Sequence, residues 1–334
     1  MSKILFDKDV SLTPLRRKTI GVIGYGNQGR AQALNLRDSG VEVIVGNRRD
    51  VYHRAAKKDG FVVHPIRDAV GEADILIIAI PDEIQDQMYP RHVEPALRPG
   101  QTLCFASSYG IRFKCIVPPD DVDVIMMSPR AMGVTVRESF EVGKGVPAFV
   151  AVAQDVSGRA LKTALALAKA AGCARAGVLQ CTFENETDVN LFGEQALWPI
   201  FHAALVLSYE VMVENGIPPE IVLLEFYSSG EASEVFRQIA RMGMLRQAPF
   251  HSPTSRYGTL SRAETLPLKE MKRRMRGVIR DIRNGKFARE WSAEQASDYA
   301  KFKKLQKRAL QHPINKAELK VRPISMSPKN FSTE

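Results

Sequence analysis

Short apolar runs alternate with stretches of helical periodicity through the first half of the chain. The runs are rich in β-branched and other apolar residues and occupy residues 19–23, 41–46, 74–81, 102–107, 121–129, 146–153 and 174–182. Helical patterns, such as residues 30–40 and 66–73, separate them. Buried strands that alternate with helices are typical of a doubly wound parallel sheet. The first half of the sequence therefore predicts an α/β domain of this kind.

The second half of the chain has a different pattern. From Glu184 onward the strand pattern stops, and long helical patterns follow, with breaks near residues 216–219 and 249–258. A change of this kind indicates a second, all-helical domain. The predicted division is an α/β domain of residues 1–182, a helical domain of residues 183–322 and a disordered polar tail of residues 323–334.

A glycine-rich segment directly follows the first apolar run. It consists of Gly24, Tyr25, Gly26, Asn27, Gln28 and Gly29, and a helical pattern begins after it. In this context the first glycine permits a tight turn, the second lets a pyrophosphate approach the backbone, and the third lets helix and strand pack closely. The N-terminal end of the helix also attracts phosphate. The segment therefore predicts a dinucleotide-binding Rossmann domain.

The end of the second apolar run indicates which dinucleotide to expect. An acidic residue at this point binds the ribose of NAD, whereas an arginine accommodates the 2′-phosphate of NADP. Arg48 and Arg49 follow the run, and Asp50 comes only after them, so NADPH is favoured over NADH. The other predicted cofactor residues follow later strands, whose carboxyl ends face the ligand in such sheets, and they are Asp82, Gln85 and Gly133.

Residues 182–195, with the sequence TFENETDVNLFGEQ, place acidic and amide side chains on the opening turns of a helix. Asn190 and Glu194 are four residues apart and share a helix face, and Glu186 and Asp188 lie one turn earlier. A cluster of oxygen ligands suits Mg²⁺. An acidic helix N-terminus stabilised by the macrodipole explains the same pattern without a metal.

Charge and cysteine content narrow the range of partners. The net charge is +10, and the densest basic run, residues 269–289, has the apolar spacing of an amphipathic helix. That run lacks interleaved aromatic residues, so we expect the charge to attract an anionic substrate and cofactor rather than nucleic acid. The four cysteines form no CxxC pair. Without a secretory signal or an apolar run of ~18 residues, the sequence predicts a cytoplasmic protein that spans no membrane.

The ordered motifs resemble ketol-acid reductoisomerases of the short, class I type across nearly the whole chain. The matching segments include GYGNQG, IPDEIQ, PPDDVDV, GKGVPAFVAVAQDVSGRA, RAGV and LFGEQA. The resemblance implies a Rossmann domain followed by a knotted helical domain that dimerises and shares helices across the active site. It also implies two Mg²⁺ ions, an alkyl migration in 2-acetolactate and reduction of the resulting keto group by NADPH.

Several positions that carry the family's chemistry differ in this chain. The replacements are Ser107 for a histidine, Arg130 for a lysine, Asn190 for a metal-binding aspartate and Ser229 for a glutamate. The retained positions are Glu194 and Glu225, which match metal ligands, and Ser252, which matches a serine that contacts substrate. The resemblance therefore assigns the catalytic site to Glu194, Glu225, Arg130, Asn190, Ser107 and Ser252.

The loss of two carboxylates makes a pair of Mg²⁺ ions unfavourable, because close cations need anionic ligands. We expect at most one weakly held Mg²⁺, with Arg130 binding a substrate carboxylate and Glu194 or Glu225 orienting or protonating the acceptor. The leading hypothesis is a homodimeric, NADPH-dependent reductase of a C=O or C=N bond in a small carboxylate, a keto acid or cyclic imine, which has lost alkyl migration and serves specialised metabolism. The alternatives are a genuine ketol-acid reductoisomerase of branched-chain amino-acid biosynthesis and a non-catalytic NADPH-binding protein on the same fold.

Overall fold

A mixed sheet forms the framework of the N-terminal half. The computed structural model describes residues 3–322. Its strands are β1 (Ile4–Leu5), β2 (Thr19–Ile23), β3 (Glu42–Gly46), β4 (Val62–His64), β5 (Ile75–Ile78), β6 (Thr102–Phe105), β7 (Asp123–Pro129), β8 (Ala148–Gln154) and β9 (Val178–Gln180). Their order in the sheet is β1-β9-β8-β7-β6-β5-β2-β3-β4. Each apolar run that predicts a strand contains one, and the doubly wound α/β fold is confirmed.

Helices cover both faces of this sheet. They are α1 (Asn27–Asp38), α2 (Val51–Lys58), α3 (Ile66–Glu72), α4 (Asp82–Met88), α5 (Tyr109–Arg112), α6 (Gly133–Glu141), α7 (Ala160–Ala170) and α8 (Phe183–Phe192). Along β5, Ile75 and Ile77 belong to the core on one face, and Leu76 and Ile78 belong to the core on the other. A strand buried on both faces is apolar at every position. This explains the continuous apolar runs in the sequence.

Strand β8 departs from the parallel arrangement that the sequence predicts. It runs antiparallel to β7, with Ala148 opposite Pro129, so it enters the sheet at the end where β7 leaves it. The helix between them, α6, packs on α1 instead of crossing the sheet, and the Asn35 amide donates to the Val136 carbonyl at 3.3 Å. The remaining pairs are parallel except for β1 with β9. The parallel part is therefore centred on β2 and β5.

The second unit of the chain is helical throughout the residues that the structure describes. Its helices are α9 (Trp198–Glu214), α10 (Pro219–Leu223), α11 (Glu231–Met242), α12 (Pro253–Ala263), α13 (Leu268–Arg283), α14 (Lys286–Ala296), α15 (Ala300–Leu310) and α16 (Ile314–Val321). Its small core contains Tyr209, Leu223 and Val321. The chain divides into two compact units after Asn190. The predicted domain boundary at residues 182/183 stays a prediction, and the tail predicted at residues 323–334 lies outside the described residues.

One helical run in the described part of the chain, Phe183–Glu214, is long and apolar enough to cross a membrane by length and composition alone. The sequence was expected to contain no such run. The difference arises because the polar opening turns and the apolar α9 join into one helical stretch of 32 residues. Because its first turns are polar, this helix does not stand out in the sequence as an uninterrupted apolar run.

Candidate active site

A cleft opens where the strand order reverses. β3 lies on one side of β2 and β5 on the other, so the connections after β2 and β5 diverge at their carboxyl ends. Ligands bind at this kind of switch point in open α/β sheets. The cleft has a volume of about 480 Å³ and is lined by Gly24, Tyr25, Gly26, Asn27, Gln28, Asn47, Arg48, Asp50, Asp82, Gln85 and Ser107, among others. Most of the predicted cofactor residues are therefore brought together.

At each of the three loop positions, glycine is favoured for a different geometric reason. Gly24 has φ +96°, a left-handed conformation that side chains disfavour. A Cβ on Gly29 would lie 2.0 Å from the Gly24 carbonyl oxygen, so only glycine lets α1 pack this closely on the loop. Gly26 has no atom within 4 Å of an added Cβ. The space beside Gly26 is where the pyrophosphate of a dinucleotide would approach.

The side chain of Tyr25 points into the core and only its backbone faces the cleft. Tyr25 is 1% exposed, and its hydroxyl donates to Asp59 Oδ2 at 2.8 Å. Burial, reinforced by the Asp59 carboxylate, raises the pKa of the phenol. Gly133 also acts through the backbone, because a Cβ there would lie 2.1 Å from the Asn27 carbonyl oxygen. Neither residue therefore offers a side chain to a cofactor.

The residues after β3 form a short ion-pair network at the edge of the cleft. Arg48 Nε donates to Asp50 Oδ2 at 3.0 Å, and Asp50 Oδ1 accepts the backbone amides of Tyr52 and His53 as the N-cap of α2. Burial raises the pKa of the Asp50 carboxyl, but the hydrogen bonds from His53, Arg48 and Tyr52 outweigh it and the net pKa is lowered. Asp50 is therefore committed to capping α2, whereas Arg48 and Arg49 are exposed.

At the rim of the cleft a polar chain begins at Asp82. Ser107 donates its hydroxyl to Asp82 Oδ2 at 2.9 Å, and Gln85 donates its amide to Asp82 Oδ1 at 2.9 Å. The Oε1 atom of Gln85 is buried and accepts no hydrogen bond from the part of the chain that the structure describes. The amide of Gln85 thus holds Asp82, and its carbonyl oxygen is an unused acceptor beside the cleft.

Arg130 continues this polar chain on the next strand. Its Nη1 donates to Glu186 Oε1 at 2.9 Å, and its Nη2 donates to Asn190 Oδ1 at 3.2 Å. Glu186 is 3% exposed, and its other oxygen, Oε2, accepts the Ser108 hydroxyl at 2.5 Å. The guanidinium lies over the Phe149 ring, 5.0 Å from its centroid. A fixed cation, anchored by a buried carboxylate, therefore stands at the end of β7.

The structure brings Arg130 and Asn190 into contact, whereas Ser107 bonds to Asp82 and only its neighbour Ser108 reaches Glu186. Glu186 was noticed in the sequence only as a possible metal ligand, and it proves to be the anchor of Arg130. Glu186 and Asn190 are four residues apart on α8, and this helical spacing is the signal that pairs them. Ser108 was missed because nothing in the sequence distinguishes it from Ser107.

The other predicted catalytic residues belong to the second unit. Glu194 and Glu225 are exposed within it, and each lies in a π-helical turn, Gly193–Leu197 and Leu224–Ser228. Such turns are frequent at functional sites. Ser252 caps α12 by accepting the Ser255 amide, and Ser229 accepts the Glu231 amide at 3.4 Å. The roles predicted for these residues stay predictions.

The residues around Asn190 do not fit a divalent metal. Among residues 3–322 no group of three or more His, Cys, Asp or Glu side chains is placed to hold a metal ion. Asn190 Oδ1 instead accepts a hydrogen bond from Arg130. Unit charges about 4 Å apart repel by about 4 kcal/mol at an effective dielectric constant of ~20, and a divalent ion doubles that repulsion. The guanidinium therefore stands where a metal held by Asn190 would have to bind.

A glycine loop at a helix N-terminus, a switch-point cleft and a polar rim at the strand ends define a dinucleotide-dependent oxidoreductase. Two family models match the chain: the NADPH-binding domain of acetohydroxy acid isomeroreductase over residues 14–177, and the C-terminal domain of ketol-acid reductoisomerase over residues 183–326. The chain therefore belongs to the ketol-acid reductoisomerase family.

Individual relatives match over almost their full length. The ketol-acid reductoisomerase (NADP(+)) of Pyrobaculum islandicum is 44% identical, covering 94% of this chain and 95% of that protein. The enzyme of the same name from Pyrococcus abyssi is 43% identical, covering 97% of each. The solved structure of an NADH-preferring ketol-acid reductoisomerase from an uncultured archaeon superposes with a TM-score of 0.91 at 38% identity, covering 97% of this chain and 99% of that chain.

These relatives overturn the leading hypothesis from the sequence. A reductase without alkyl migration was expected because four site positions differ from the family pattern, yet both domains match enzymes named ketol-acid reductoisomerase at 44% and 43% identity. A 1-pyrroline-5-carboxylate reductase from Streptococcus pyogenes, an enzyme named for an imine substrate, is only 16% identical with a TM-score of 0.52, covering 80% of this chain and 98% of that chain. That likeness shows the fold alone. The imine or keto reductase reading and its place in specialised metabolism are therefore wrong.

Proposed function

We propose that this chain is a ketol-acid reductoisomerase, which rearranges 2-acetolactate and reduces the product with NADPH. In the first step the C2 hydroxyl loses its proton, the bond from C2 to its methyl group breaks, the methyl group bonds to C3, and the C3 oxygen gains a proton. C2 is then a ketone in 3-hydroxy-3-methyl-2-oxobutanoate. In the second step NADPH gives a hydride to C2, and a proton adds to its oxygen. The observation that carries this proposal is the match to enzymes of this name across both domains.

The switch-point cleft is the proposed NADPH site. Its glycine loop leaves open space beside Gly26 for the pyrophosphate, and the cleft reaches Ser107 and Asp82 at its rim. From that rim, hydrogen bonds of Ser107 to Asp82 and of Ser108 to Glu186 lead to Arg130. β5, β6 and β7 are parallel, so Arg130 at the end of β7 lies at the same edge of the sheet as the cofactor cleft. This placement supports hydride transfer between the cofactor and a substrate held by Arg130.

The charges after β3 support NADPH rather than NADH as the cofactor. Arg48 and Arg49 are exposed at the cleft edge, while Asp50, the acid that follows them in the chain, is engaged by α2 and Arg48. A 2′-phosphate therefore meets a net positive surface. The NADH preference in the name of the archaeal relative does not decide the question for this chain, because that relative is only 38% identical.

The protons of the reaction need carriers, and the proposed carriers are Glu194 and Glu225. Both match carboxylates of the family motif, and both lie in π-helical turns of the second unit. A carboxyl group within hydrogen-bond reach of a reacting oxygen can give or take its proton. Ser252 is proposed as a substrate contact, on the motif match alone.

We propose a homodimer, or a multiple of it, acting in the cytoplasm. Helix α9 has only one buried side chain, Tyr209, among its residues. Its exposed apolar side chains include Leu207 at 58% and Val211 at 53% exposure. An apolar helix surface of this kind needs a covering partner, and the family resemblance supplies a second copy of the chain.

The test is steady-state oxidation of NADPH by the purified protein. 2-Acetolactate should be turned over, whereas simple cyclic imino acids and 2-oxo acids without a 3-hydroxyl should not. Turnover confined to an imine or a simple 2-oxo acid would refute the proposal. A Gly26→Ala variant serves as the control for turnover that depends on the cofactor cleft.

A further inference from the structure

The Arg130 cluster has the composition of an anion-binding site rather than a cation-binding site. Its cation is a guanidinium, which stays charged at every physiological pH. Glu186, its one buried carboxylate, has both oxygens occupied, Oε1 by Arg130 and Oε2 by Ser108. Asn190 contributes a neutral amide, whose oxygen already accepts from Arg130. Within the cluster of Arg130, Glu186 and Asn190 the formal charges therefore cancel, so these three residues carry no surplus negative charge to attract Mg²⁺.

Arg130 still has donors to offer. Within residues 3–322 its hydrogen bonds run from Nη1 to Ser128 and Glu186 and from Nη2 to Asn190. A guanidinium has five N–H groups, so the Nε–H and one N–H of Nη2 remain. These two atoms share an edge, and Arg30 uses the same pair to bind both oxygens of Asp59. The Arg130 side chain is 30% exposed, so part of it is open to a ligand.

We propose that the Arg130 guanidinium, anchored by Glu186 and Asn190, binds the carboxylate of the acetohydroxy acid in place of a divalent cation. The inference rests on the proposed function for the identity of the substrate. Two parallel N–H···O bonds from the Nε and Nη2 edge match the geometry of a carboxylate. The guanidinium also lies over the Phe149 ring, 5.0 Å from its centroid, which adds a second contact that holds it in place. Substrate binding in this chain therefore does not depend on Mg²⁺.

Binding, measured apart from turnover, tests this inference. The probe is 2-hydroxyisobutyrate, a small 2-hydroxy acid with the carboxylate and tertiary hydroxyl of the substrate, titrated into the protein–NADPH complex and followed by NADPH fluorescence. Its Kd should agree within about twofold in excess EDTA and in excess MgCl₂. Calorimetric titration of MgCl₂ into the same complex should give no saturable heat. A Kd that improves tenfold or more with Mg²⁺, or a saturable Mg²⁺ site, would overturn the inference.

Two variants test whether binding of the probe depends on the Arg130 side chain. Arg130→Met should weaken the probe roughly 10- to 100-fold, the range expected for lost hydrogen bonds to a charged group, while leaving the Kd of NADPH unchanged. Arg175→Met is the matched control, because Arg175 is also exposed and lies over a phenylalanine ring, that of Phe140. It should bind the probe normally. Equal binding by Arg130→Met and the unaltered protein would contradict the inference.

A second variant of Arg130 keeps the test decisive if the first one folds poorly. Arg130→Lys combined with Asn190→Asp exchanges the guanidinium for an ammonium and adds a carboxylate. Probe binding should then gain a dependence on Mg²⁺ that the unaltered protein lacks. If this variant and the unaltered protein respond to Mg²⁺ alike, the inference fails.

Turnover of 2-acetolactate in the same samples separates this inference from the proposed function. Turnover of 2-acetolactate combined with probe binding that requires Mg²⁺ would sustain the proposed function and overturn the role of Arg130. Probe binding in EDTA without any turnover of 2-acetolactate would sustain the role of Arg130 and refute the proposed function.

Discussion

At the scale of single residues, two glycines of the loop are needed for different reasons: Gly29 for packing and Gly26 for cofactor binding. A Cβ on Gly29 would meet the Gly24 carbonyl at 2.0 Å, whereas a Cβ on Gly26 would meet nothing within 4 Å. Gly29→Ala should therefore lower the Tm, since overpacking costs about 1–3 kcal/mol. Gly26→Ala should leave the Tm of the free protein unchanged and weaken NADPH binding at least tenfold. Thermal melts with and without NADPH check both, and a normal NADPH affinity for Gly26→Ala would contradict the cleft assignment.

The two arginines after β3 set the expected cofactor preference. Replacing both Arg48 and Arg49 with Ala should weaken NADPH by roughly 10- to 100-fold, because contacts to a charged phosphate are worth about 1.5–3 kcal/mol. NADH, which lacks the 2′-phosphate, should bind as before. Fluorescence titration of the two cofactors measures the ratio, with Arg54→Ala in α2 as control. Equal affinity of the unaltered protein for NADPH and NADH would remove this basis for the preference.

Individual residues also mark the limit of sequence reasoning. The replacements at Ser107, Arg130 and Asn190 were found in the sequence, and the structure brings Arg130 and Asn190 into contact. The anchoring role of Glu186 was not found, because its partner Arg130 lies 56 residues away in the chain. Tyr25 was expected at the cofactor, and it lines the cleft, but its side chain is buried against Phe61 and Asp59 in the core. Long-range pairing of this kind has no local signal.

At the scale of elements, Asp59 ties α1 and the glycine loop to the end of α2. It accepts hydrogen bonds from Arg30 Nε at 2.7 Å and from the Tyr25 hydroxyl at 2.8 Å. Burial raises the pKa of the Asp59 carboxyl, but the hydrogen bonds from Arg30 and Tyr25 outweigh it, so its net pKa is lowered. A lowered folded-state pKa stabilises the fold above the unfolded-state value of ~3.9, and this stabilisation is lost as the pH falls through the folded value.

Asp59→Asn should therefore destabilise the protein by about 1–2 kcal/mol at neutral pH. The Tm values of the variant and the unaltered protein should converge as the pH falls through the lowered folded-state pKa of Asp59, because both side chains are then neutral. Melts across a pH series test this, with Asp120→Asn, at an exposed loop position, as control. A Tm difference that persists unchanged at low pH would show that the effect is steric rather than electrostatic.

The elements themselves were largely predictable. The strands from β2 to β9 other than β4, and the switch from strands to helices near residue 182, follow from apolar patterning, because strands buried on both faces leave continuous apolar runs. The short edge strands β1 and β4 are partly exposed and leave no such run. The antiparallel direction of β8 was not predictable, since it depends on where α6 packs and not on the sequence of β8. The π-helical turns at Glu194 and Glu225 also have no pattern signal, because they change the register of a helix without ending it.

At the scale of the whole molecule, the exposed apolar surface of α9 predicts self-association. Leu207→Glu with Val211→Glu should produce a monomer with greatly reduced turnover, because charges on that face oppose its burial. Light scattering at micromolar concentration checks the assembly. Val117→Glu is the control, since Val117 is 68% exposed in the N-terminal unit, and it should remain assembled. A clean monomer of the unaltered protein would contradict the homodimer.

The match over the whole chain also explains why the reductase hypothesis was wrong. Four substitutions at chemically important positions were given more weight than the agreement of the remaining chain, although both domains match the family. An active site can lose metal ligands and keep its reaction when a cationic side chain binds the substrate oxygens that the metal would have bound. In this chain, Arg130 is the side chain proposed to take that place.

The structure of the product tests the central claim most directly. After incubation of 2-acetolactate with NADPH and the protein, ¹H NMR distinguishes two carbon skeletons. Rearrangement followed by reduction gives 2,3-dihydroxy-3-methylbutanoate, with two methyl singlets on one carbon. Direct reduction of the C3 ketone gives 2,3-dihydroxy-2-methylbutanoate, with one methyl doublet and one methyl singlet. We predict the pair of singlets, and the doublet would contradict the assignment of this chain as a ketol-acid reductoisomerase.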